Sequence, residues 1–218
     1  MAQSDPDDLD PLLTEACAAL PLFPLPGMVF LPHTLLPLHV FEPRYRALVA
    51  DALAADGVLA VPQLLADEAP GAAPPAIARV VGVGRIVQHQ ELPGGRSNVV
   101  LAGIGRARIT TEIGGDAPYR LAQAVALPPP RAGGGLVRAR LLASLAALAQ
   151  REPAVAGAVR SLLERDVVTP ALCAAVAHML LRDPRDRQVF LELEAESDQV
   201  EHLLVALATV SAGPGLEA

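Results

Sequence analysis

Hydrophobic and polar residues follow two different spacings along the chain, and the spacing changes near residue 130. Up to residue 127, apolar residues alternate with polar ones or form short runs that proline and glycine interrupt, which is typical of strands and turns. From residue 136 onward, apolar residues recur at every third or fourth position, which is typical of amphipathic helices. The segment between them, residues 128–135, is rich in proline and glycine and is predicted to be a linker.

Four strands are predicted in the first half, with turn residues between them. In the third, one parity is apolar, including Val99 and Leu101, and the other is polar, so one face is predicted to be buried. Gly103 and Gly105 weaken this strand and predict a bend or bulge. The predicted strands are Val58–Val61, Ile77–Leu92, Asn98–Ile113 and Tyr119–Leu127.

Helices are predicted mainly in the second half. An earlier one begins at Pro43, since a proline at the first helical position costs no hydrogen bond, and ends at Gly57. Thr169 and Asp183 each stand before a proline, as N-capping residues do. The predicted helices of the second half are Leu136–Gln150, Pro153–Glu164, Thr169–Leu181, Pro184–Ala195 and a last one from Ser197 or Asp198 to Val210.

The longest uncharged segment runs from Ala16 to Phe41, 26 residues without Asp, Glu, Lys or Arg. A helix that spans a bilayer needs about 20 apolar residues. Five prolines in this segment would break such a helix, and lipid does not tolerate unpaired backbone groups. The segment is therefore predicted to form short extended pieces that pack into a core.

Three motifs follow one another through this segment and into the first helix. They are Leu20-Pro21-Leu22-Phe23-Pro24-Leu25-Pro26, Val29-Phe30-Leu31-Pro32 and Leu36-Pro37-Leu38-His39-Val40-Phe41-Glu42-Pro43-Arg44-Tyr45-Arg46. Together they resemble the opening of the amino-terminal, substrate-binding domain of Lon proteases. One local departure is the insertion of Leu31 before Pro32, followed by His33 where the family usually has glycine.

Further motifs continue the resemblance, in the order expected for the family. Because spaced motifs recur in order, the resemblance is specific, and it extends from about residue 20 to the C-terminal helices. The further motifs are Val83-Gly84-Arg85-Ile86-Val87, Leu92-Pro93-Gly94-Gly95-Arg96-Ser97-Asn98, Gly103-Ile104-Gly105-Arg106-Ala107-Arg108-Ile109 and Pro118-Tyr119-Arg120-Leu121-Ala122.

The resemblance implies an α+β fold in which a PUA-like antiparallel β-barrel is followed by a C-terminal helical bundle. The first ten residues carry four aspartates and no basic residue, so they are assigned to an acidic leader. The expected parts are residues 1–18 as a disordered leader, 19–127 as the barrel, 128–135 as the linker, 136–211 as the helical subdomain and 212–218 as a tail, with 19–211 together forming the Lon amino-terminal-like domain.

The sequence lacks the motifs of an ATPase or a peptidase. All 17 basic residues are arginine, whereas a phosphate-binding loop and a Ser-Lys dyad both need lysine. The two Gly-Val-Gly and Gly-Ile-Gly segments lack the third glycine of a dinucleotide motif. The five histidines and two cysteines do not have the spacing of metal ligands. No catalytic, cofactor-binding or metal-binding residue is therefore assigned, and neither enzyme activity nor a cofactor is expected.

Charge is distributed unevenly, with −8 over residues 1–78, +6 over residues 79–140 and −5 over residues 141–218, which sum to −7. A basic segment can attract an anionic partner, although charge runs are usually solvated surface. The start lacks the positive charge of a secretory signal, so a cytoplasmic protein is predicted. Cys17 and Cys173 are too few for a disulfide framework and are expected to be buried.

The resemblance implies a non-catalytic module that binds unfolded or exposed apolar polypeptide, as an adaptor or regulator in ATP-dependent proteolysis. Its partners would be such polypeptide segments and a separate ATP-dependent protease, without a membrane. Phe30 and Leu31, as an exposed loop tip between prolines, are the candidates for gripping apolar segments, with Arg106 and Arg108 at the rim. The residues expected to fix the strand-to-helix corner rather than bind are Phe41, Glu42, Pro43, Arg44, Tyr45 and Arg46.

The alternative is an RNA-binding PUA-like module that uses the basic segment, residues 79–140. Against it, the chain as a whole is acidic, and Tyr119 is the only aromatic residue of that segment that could stack on bases. Nucleic acid is therefore not the expected partner. A steep loss of affinity with salt would identify this mode of binding.

Overall fold

The computed structural model describes residues 9–65, 75–164 and 167–212. The chain divides into two compact units, residues 1–129 and residues 130–218. We call them the sheet unit and the helical unit, after the elements that their described residues form. The predicted α+β class is confirmed, while the boundaries of the leader, linker and tail stay predictions.

The sheet unit contains two α-helices, one short 3-10 helix (Pro93–Gly95) and eight strands among its described residues. In chain order the α-helices and strands are α1 (Pro11–Ala16), β1 (Leu20–Leu22), β2 (Leu25–Pro26), β3 (Leu35–Val40), α2 (Pro43–Ala54), β4 (Val58–Val61), β5 (Gln63–Leu64), β6 (Val80–Leu92), β7 (Arg96–Ile113) and β8 (Arg120–Leu127). The four predicted strands correspond to β4, β6, β7 and β8, with ends that differ by up to three residues. Residues 66–75, whose alanine, proline and acidic residues predict a loop, lie almost wholly outside the described residues.

Six of these strands form one sheet in the order β3-β7-β6-β4-β1-β8, and β2 pairs with β5 separately. In the larger sheet β1 and β4 are parallel and the other pairs are antiparallel. The 18 residues of β7 are long enough to pair with β3 near their start and with β8 near their end. Because β7 pairs with both β6 and β8, the strand order β7-β6-β4-β1-β8 leads back to β7. The structure supports the predicted barrel to this extent.

Glycines in β6 and β7 let the loop before β3 approach the sheet backbone closely. A Cβ atom at Gly82 would lie 1.9 Å from the carbonyl oxygen of Phe30, and one at Gly84 would lie 2.5 Å from the Phe30 ring. A Cβ atom at Gly103 would lie 2.4 Å from the carbonyl oxygen of Leu31. Real Cβ atoms do not approach other atoms so closely, so only glycine permits this packing.

The pairing of β6 with β7 shifts by one residue at the same place. Val83 pairs with Gly105 and Gly84 pairs with Gly103, which leaves Ile104 as an extra residue of β7. The bulge that the glycines predict is therefore confirmed.

The leader is helical from Pro11 to Ala16, so its predicted disorder is wrong for this part; residues 1–8 lie outside the described residues. The Asp10 carboxylate caps the helix by accepting the Leu12 N–H at 2.9 Å. Leu13 is 2% exposed, and its side chain covers Gly105, where a Cβ atom would lie 2.6 Å away. The core therefore extends into the segment that composition alone assigned to an acidic leader.

His33 has a φ of 62°, in the left-handed region that favours glycine. Its N–H donates to the Gly103 carbonyl at 2.9 Å, which holds this conformation against the sheet. Because this left-handed conformation favours glycine, it explains why the family usually has glycine at this position.

β3 is the last strand at one end of the sheet order, and among the described residues it pairs with β7 alone. The carbonyl of Thr34 accepts the Gly103 N–H at 2.9 Å and so points toward β7. By alternation, the backbone groups of Leu35, Pro37 and His39 point to the open edge. Pro37 lies in the middle of that edge and has no N–H.

The helical unit contains five helices among its described residues, as the sequence predicts. Asp183 caps its helix as predicted, because its carboxylate accepts the Arg185 N–H at 2.8 Å. Thr169 is the first helical residue rather than the N-cap, which is Val168. The helices are α3 (Gly134–Arg151), α4 (Pro153–Leu163), α5 (Thr169–Leu180), α6 (Pro184–Glu192) and α7 (Glu196–Ala212). No described helix is both long enough and apolar enough to cross a membrane.

The start of the helical unit is held against the start of α7 by backbone and carboxylate hydrogen bonds. Arg131 donates its N–H to Glu194 O at 2.8 Å and accepts from the Glu196 N–H at 2.9 Å. The Glu196 side chain is buried and accepts the Gly133 N–H at 2.8 Å. Part of the predicted linker therefore has fixed partners.

Hydrogen bonds from two residues, Tyr119 and Arg120, hold the start of β8 in the sheet unit. The Tyr119 hydroxyl donates to Asp51 at 2.7 Å, and burial, together with this carboxylate, raises the pKa of Tyr119 to about 12. Arg120 donates to both oxygens of Glu112, at 2.7 and 2.5 Å, and to the Pro75 carbonyl at 2.8 Å. The hydrogen bonds from Arg120 lower the pKa of Glu112 below its ordinary value of 4.5.

Replacing Phe30 with alanine is expected to lower the free energy of unfolding by about 3–5 kcal/mol, because a buried ring is removed from above two glycines. Urea denaturation followed by circular dichroism measures the loss. Phe41→Ala is the matched control, since that ring is 59% exposed, and it should lose far less. Equal losses in the two variants would contradict the close packing of Phe30.

The pairing of Glu112 with Arg120 is expected to make stability depend on pH in the acidic range. A depressed pKa in the folded state gives a contribution that is present above the unfolded pKa and is lost as the pH falls through the folded pKa. The excess unfolding free energy of the wild type over Glu112→Gln should therefore shrink as the pH falls below 4.5. Glu91→Gln, at an exposed position of β6, is the control, and its difference in unfolding free energy from the wild type should not shrink in this way. If the difference for Glu112→Gln also stays constant as the pH falls, the stabilising role of the Glu112–Arg120 pair is refuted.

Candidate functional site

Phe30 and Leu31 are buried, each with 2% of its surface exposed. The prediction of an exposed loop tip is wrong, because Phe30 packs onto Gly82 and Gly84 and the Leu31 carbonyl packs onto Gly103. A ligand cannot contact these side chains unless the loop leaves the sheet. The sequence did contain a signal, since glycine within a strand also marks a close approach by another segment.

The two arginines predicted for the rim lie in different environments. Arg106 is 4% exposed and donates to the Pro128 carbonyl at 3.1 Å. Its expected exposure at the rim is wrong: it shares the parity of Arg108 in a regular part of the ladder, but it lies against the chain just beyond the end of β8, at Pro128. Arg108 is exposed and lies opposite Val125 of β8. Of the four predicted binding residues, Arg108 alone is accessible to a partner.

A stack of side chains holds the corner between β3 and α2. Arg44 donates to the Glu42 carboxylate at 2.9 Å, and its guanidinium carbon lies 4.4 Å from the centre of the Tyr45 ring. Tyr45 is buried and stacks on Phe23 with ring centres 4.0 Å apart, while its hydroxyl donates to Pro24 O at 3.4 Å. Burial raises the pKa of Tyr45, so the hydroxyl stays protonated in this contact.

The other residues of the corner motif differ in exposure and contacts. Pro43 is the first residue of α2, and the Arg46 guanidinium lies over Gly95, where a Cβ atom would clash with it. Phe41, in contrast, is 59% exposed, with its ring centre 6.0 Å from that of His39. Phe41 therefore differs from the rest of the motif in that its aromatic ring faces solvent.

Exposed apolar side chains accompany Phe41 on the outward face of β3 and its neighbours. Leu35 is 66% exposed and Val87 is 53% exposed. Val87 is outward by alternation, because the preceding Ile86 lies opposite the buried Leu101, and the register shift before Gln88 leaves Val87 without a paired residue on β7. We call the β3 surface the set of outward residues Leu35, Pro37, His39, Phe41, Val87 and Val100.

The strand register places the β3 surface on one continuous face. Pro37 lies opposite Val100, and His39 lies opposite Asn98. His39 Nδ1 is 2.8 Å from the Asn98 side-chain oxygen, and Asn98 donates to the Gln90 side chain at 3.4 Å. The face is thus apolar near Leu35. Near His39 it carries a row of hydrogen-bonded side chains, those of His39, Asn98 and Gln90. None of the six residues of the β3 surface is acidic or an arginine.

Sequence reasoning could not have separated the two faces of β3. Leu36 and Val40 are buried while Leu35 and Phe41 are exposed, yet both parities of this strand are apolar. Alternation gives no signal in such a run, and only the neighbouring strands decide which side chains face solvent.

Most arginines of the basic segment have hydrogen-bond acceptors within their own unit, and two of them, Arg120 and Arg140, are paired with carboxylates. Six of the nine arginines between residues 79 and 140 donate to a carbonyl or carboxylate. They are Arg79, Arg85, Arg96, Arg106, Arg120 and Arg140.

The described residues offer no group of three or more His, Cys, Asp and Glu side chains that could hold a metal ion. Cys17 and Cys173 are buried, as predicted. Burial raises the pKa of both thiols, and that of Cys173 reaches about 12, with a smaller contribution from the Glu196 charge. Neither cysteine is therefore a reactive thiolate near neutral pH.

The comparisons with known proteins agree on one family and one fold. The family model of the ATP-dependent protease La (LON) substrate-binding domain matches residues 19–209. The N-terminal domain of Mycobacterium avium complex Lon protease is similar in structure, with a TM-score of 0.69 and 19% identity, over 87% of this chain and 98% of that chain. A Lon N-terminal domain protein from Xanthomonas campestris is also similar, with a TM-score of 0.61 and 24% identity, over 86% of this chain and 97% of that chain. No curated protein matches the chain.

Proposed function

Since the chain belongs to the family of LON substrate-binding domains, we propose that it binds unfolded or exposed apolar polypeptide and does not itself cleave it. The family supports a role in polypeptide recognition. The more specific statement, that apolar segments are the ligand, rests on the β3 surface.

The exposure of Leu35, Phe41 and Val87 on one face is the observation that supports this proposal. Three large apolar side chains are each more than half exposed: Leu35 lies on β3, Phe41 directly follows β3, and Val87 lies on β6, one strand beyond β7. An exposed apolar face of this kind is characteristic of interaction sites. The polar ladder at His39 and Asn98 supplies hydrogen-bonding groups without a net charge, which suits polypeptides of varied sequence.

Binding would draw its free energy mainly from apolar burial, at roughly 25 cal/mol for each Å² removed from water. Phe41 contributes most, because its ring is large and can be covered with little loss of side-chain freedom. The contact would be made through side chains, because Pro37 removes a backbone donor from the open edge of β3. Affinity should therefore depend little on salt.

Recognition without cleavage would place this chain beside a separate ATP-dependent protease, as an adaptor or regulator in the cytoplasm. The sequence supports the division of labour, since a chain without lysine can provide neither a phosphate-binding loop nor a Ser-Lys dyad. Its part would be to hold a client through the β3 surface, and the ATP-dependent steps would belong to the partner.

Replacing Phe41 or Leu35 with aspartate is expected to weaken polypeptide binding by about tenfold or more, because each change removes roughly 1.5–3 kcal/mol of apolar burial. The measurement is fluorescence anisotropy of labelled, reduced and alkylated lactalbumin titrated with the purified protein. Val125→Asp is the matched control, since Val125 is 56% exposed on β8 and lies outside the β3 surface.

The same titration separates the proposal from the RNA alternative. A labelled single-stranded RNA, tested at low and moderate salt, should show no saturable binding. Unchanged lactalbumin affinity in both folded aspartate variants would overturn the assignment to the β3 surface. Salt-sensitive binding of RNA alone would overturn the function and direct attention to Arg108, the exposed arginine of β7.

A further inference from the structure

A groove of about 710 Å³ runs between α3 and α7 of the helical unit. On the α3 side the lining residues recur along one face over 12 residues, from Arg140 to Arg151, and the α7 side comprises Leu204, Leu207 and Ala208. At about 1.5 Å per residue, the α3 side is about 16 Å long, or three helical turns. The groove has no place in the proposed function, whose site lies on the sheet unit.

Small residues line both walls of this groove. Ala143, Ser144 and Ala147 lie on α3 and Ala208 lies on α7, while Leu148 is nearly fully buried beneath them. Helices whose facing residues are small approach each other closely, to the lower end of the 8–10 Å range of helix spacing. A groove three turns long with such walls therefore fits a third helix better than an extended strand.

The charged residues among those that line the groove are both arginines, Arg140 and Arg151. Arg140 donates to Glu201 at 3.0 Å, but both side chains of this pair are 60% exposed. The ion pair is therefore weak, and Arg140 can pair with a carboxylate of another chain instead. Arg151 is exposed, and no ion pair is recorded for it in the described part of the chain. The groove thus combines an apolar floor with positive charge at both ends, in a chain whose net charge is −7.

We propose that the α3–α7 groove docks an amphipathic, acidic α-helix of a partner protein. Its apolar stripe would cover Leu204 and the exposed Ala143, Ala147 and Ala208, because Leu207 is already buried, and carboxylates about three turns apart would reach Arg140 and Arg151. A carboxylate is attracted more strongly at the Arg151 end, because Glu201 offsets part of the charge of Arg140. Charge sets which helices are accepted and in which orientation, and burial of the apolar stripe adds to the affinity.

The test uses two labelled helical peptides of about 18 residues with the same Leu and Ala face, one carrying glutamates and the other lysines at the same positions. Both are titrated into the full chain carrying Phe41→Asp, so that the β3 surface does not contribute. The acidic peptide is expected to bind at least tenfold more tightly than the lysine peptide. Arg151→Glu should abolish or reverse this preference, whereas Arg160→Glu, an exposed charge reversal on α4, should leave it intact.

A second pair of variants tests the groove by its shape. Ala147→Trp fills the groove and is expected to lower the affinity for the acidic peptide about tenfold, whereas Ala158→Trp, at an exposed position of α4, should not. Equal affinity for the two peptides, no binding of either, or a preference that survives Arg151→Glu would each overturn the proposal. Failure of the chain to bind unfolded lactalbumin would refute the β3 surface alone, because the peptide titration does not use it.

Discussion

The sheet unit depends on the close contact between the paired strands β6 and β7 and the segments that precede them in the chain. At four glycines there is no room for a Cβ atom, because Phe30, the Leu31 carbonyl or Leu13 already occupies the space. These contacts bury the leader helix and the loop before β3 against the longest strands. They also fix the start of β3, through the hydrogen bonds that join residues 33 and 34 to Gly103. The position of the outward β3 surface is therefore a consequence of packing on the other side of the same strand.

Much of the fold could be predicted because its elements carry strong local signals. Proline at the first turn of α2 and the capping aspartate of α6 mark helix starts, and alternation in β7 marks a half-buried strand. Packing between segments distant in sequence could not be predicted in the same way. Glycine within a strand fits both a bend and a close approach, and here both occur at Gly103 and Gly105. That ambiguity is why Phe30 was predicted to be available for binding. Leu13 was assigned to a disordered leader for a different reason, the acidic composition of the residues before it.

The candidate site shows the same limit in a different form. The family motif drew attention to residues 41–46. The sequence alone gives these six residues one common role, whereas in the structure they differ in burial. Tyr45 and its neighbours pack into the corner, while Phe41 is turned to solvent by the end of β3. Arg106 and Arg108 share one face of β7, since the pairing with β6 and β8 is regular between them. Arg106 is nevertheless buried, beside the Pro128 carbonyl, whereas Arg108 is exposed, and no spacing rule applied to the sequence alone indicates this difference.

Pro37 has a consequence for how the protein behaves at high concentration. An open strand edge beside exposed apolar side chains is a common starting point for aggregation, because a second copy can add its own strand to the sheet. Here the edge of β3 lacks its central donor, so an added strand would leave a carbonyl without a partner at the middle of the new ladder. The proline therefore lets an apolar face remain exposed without making the edge a template for growth into larger assemblies.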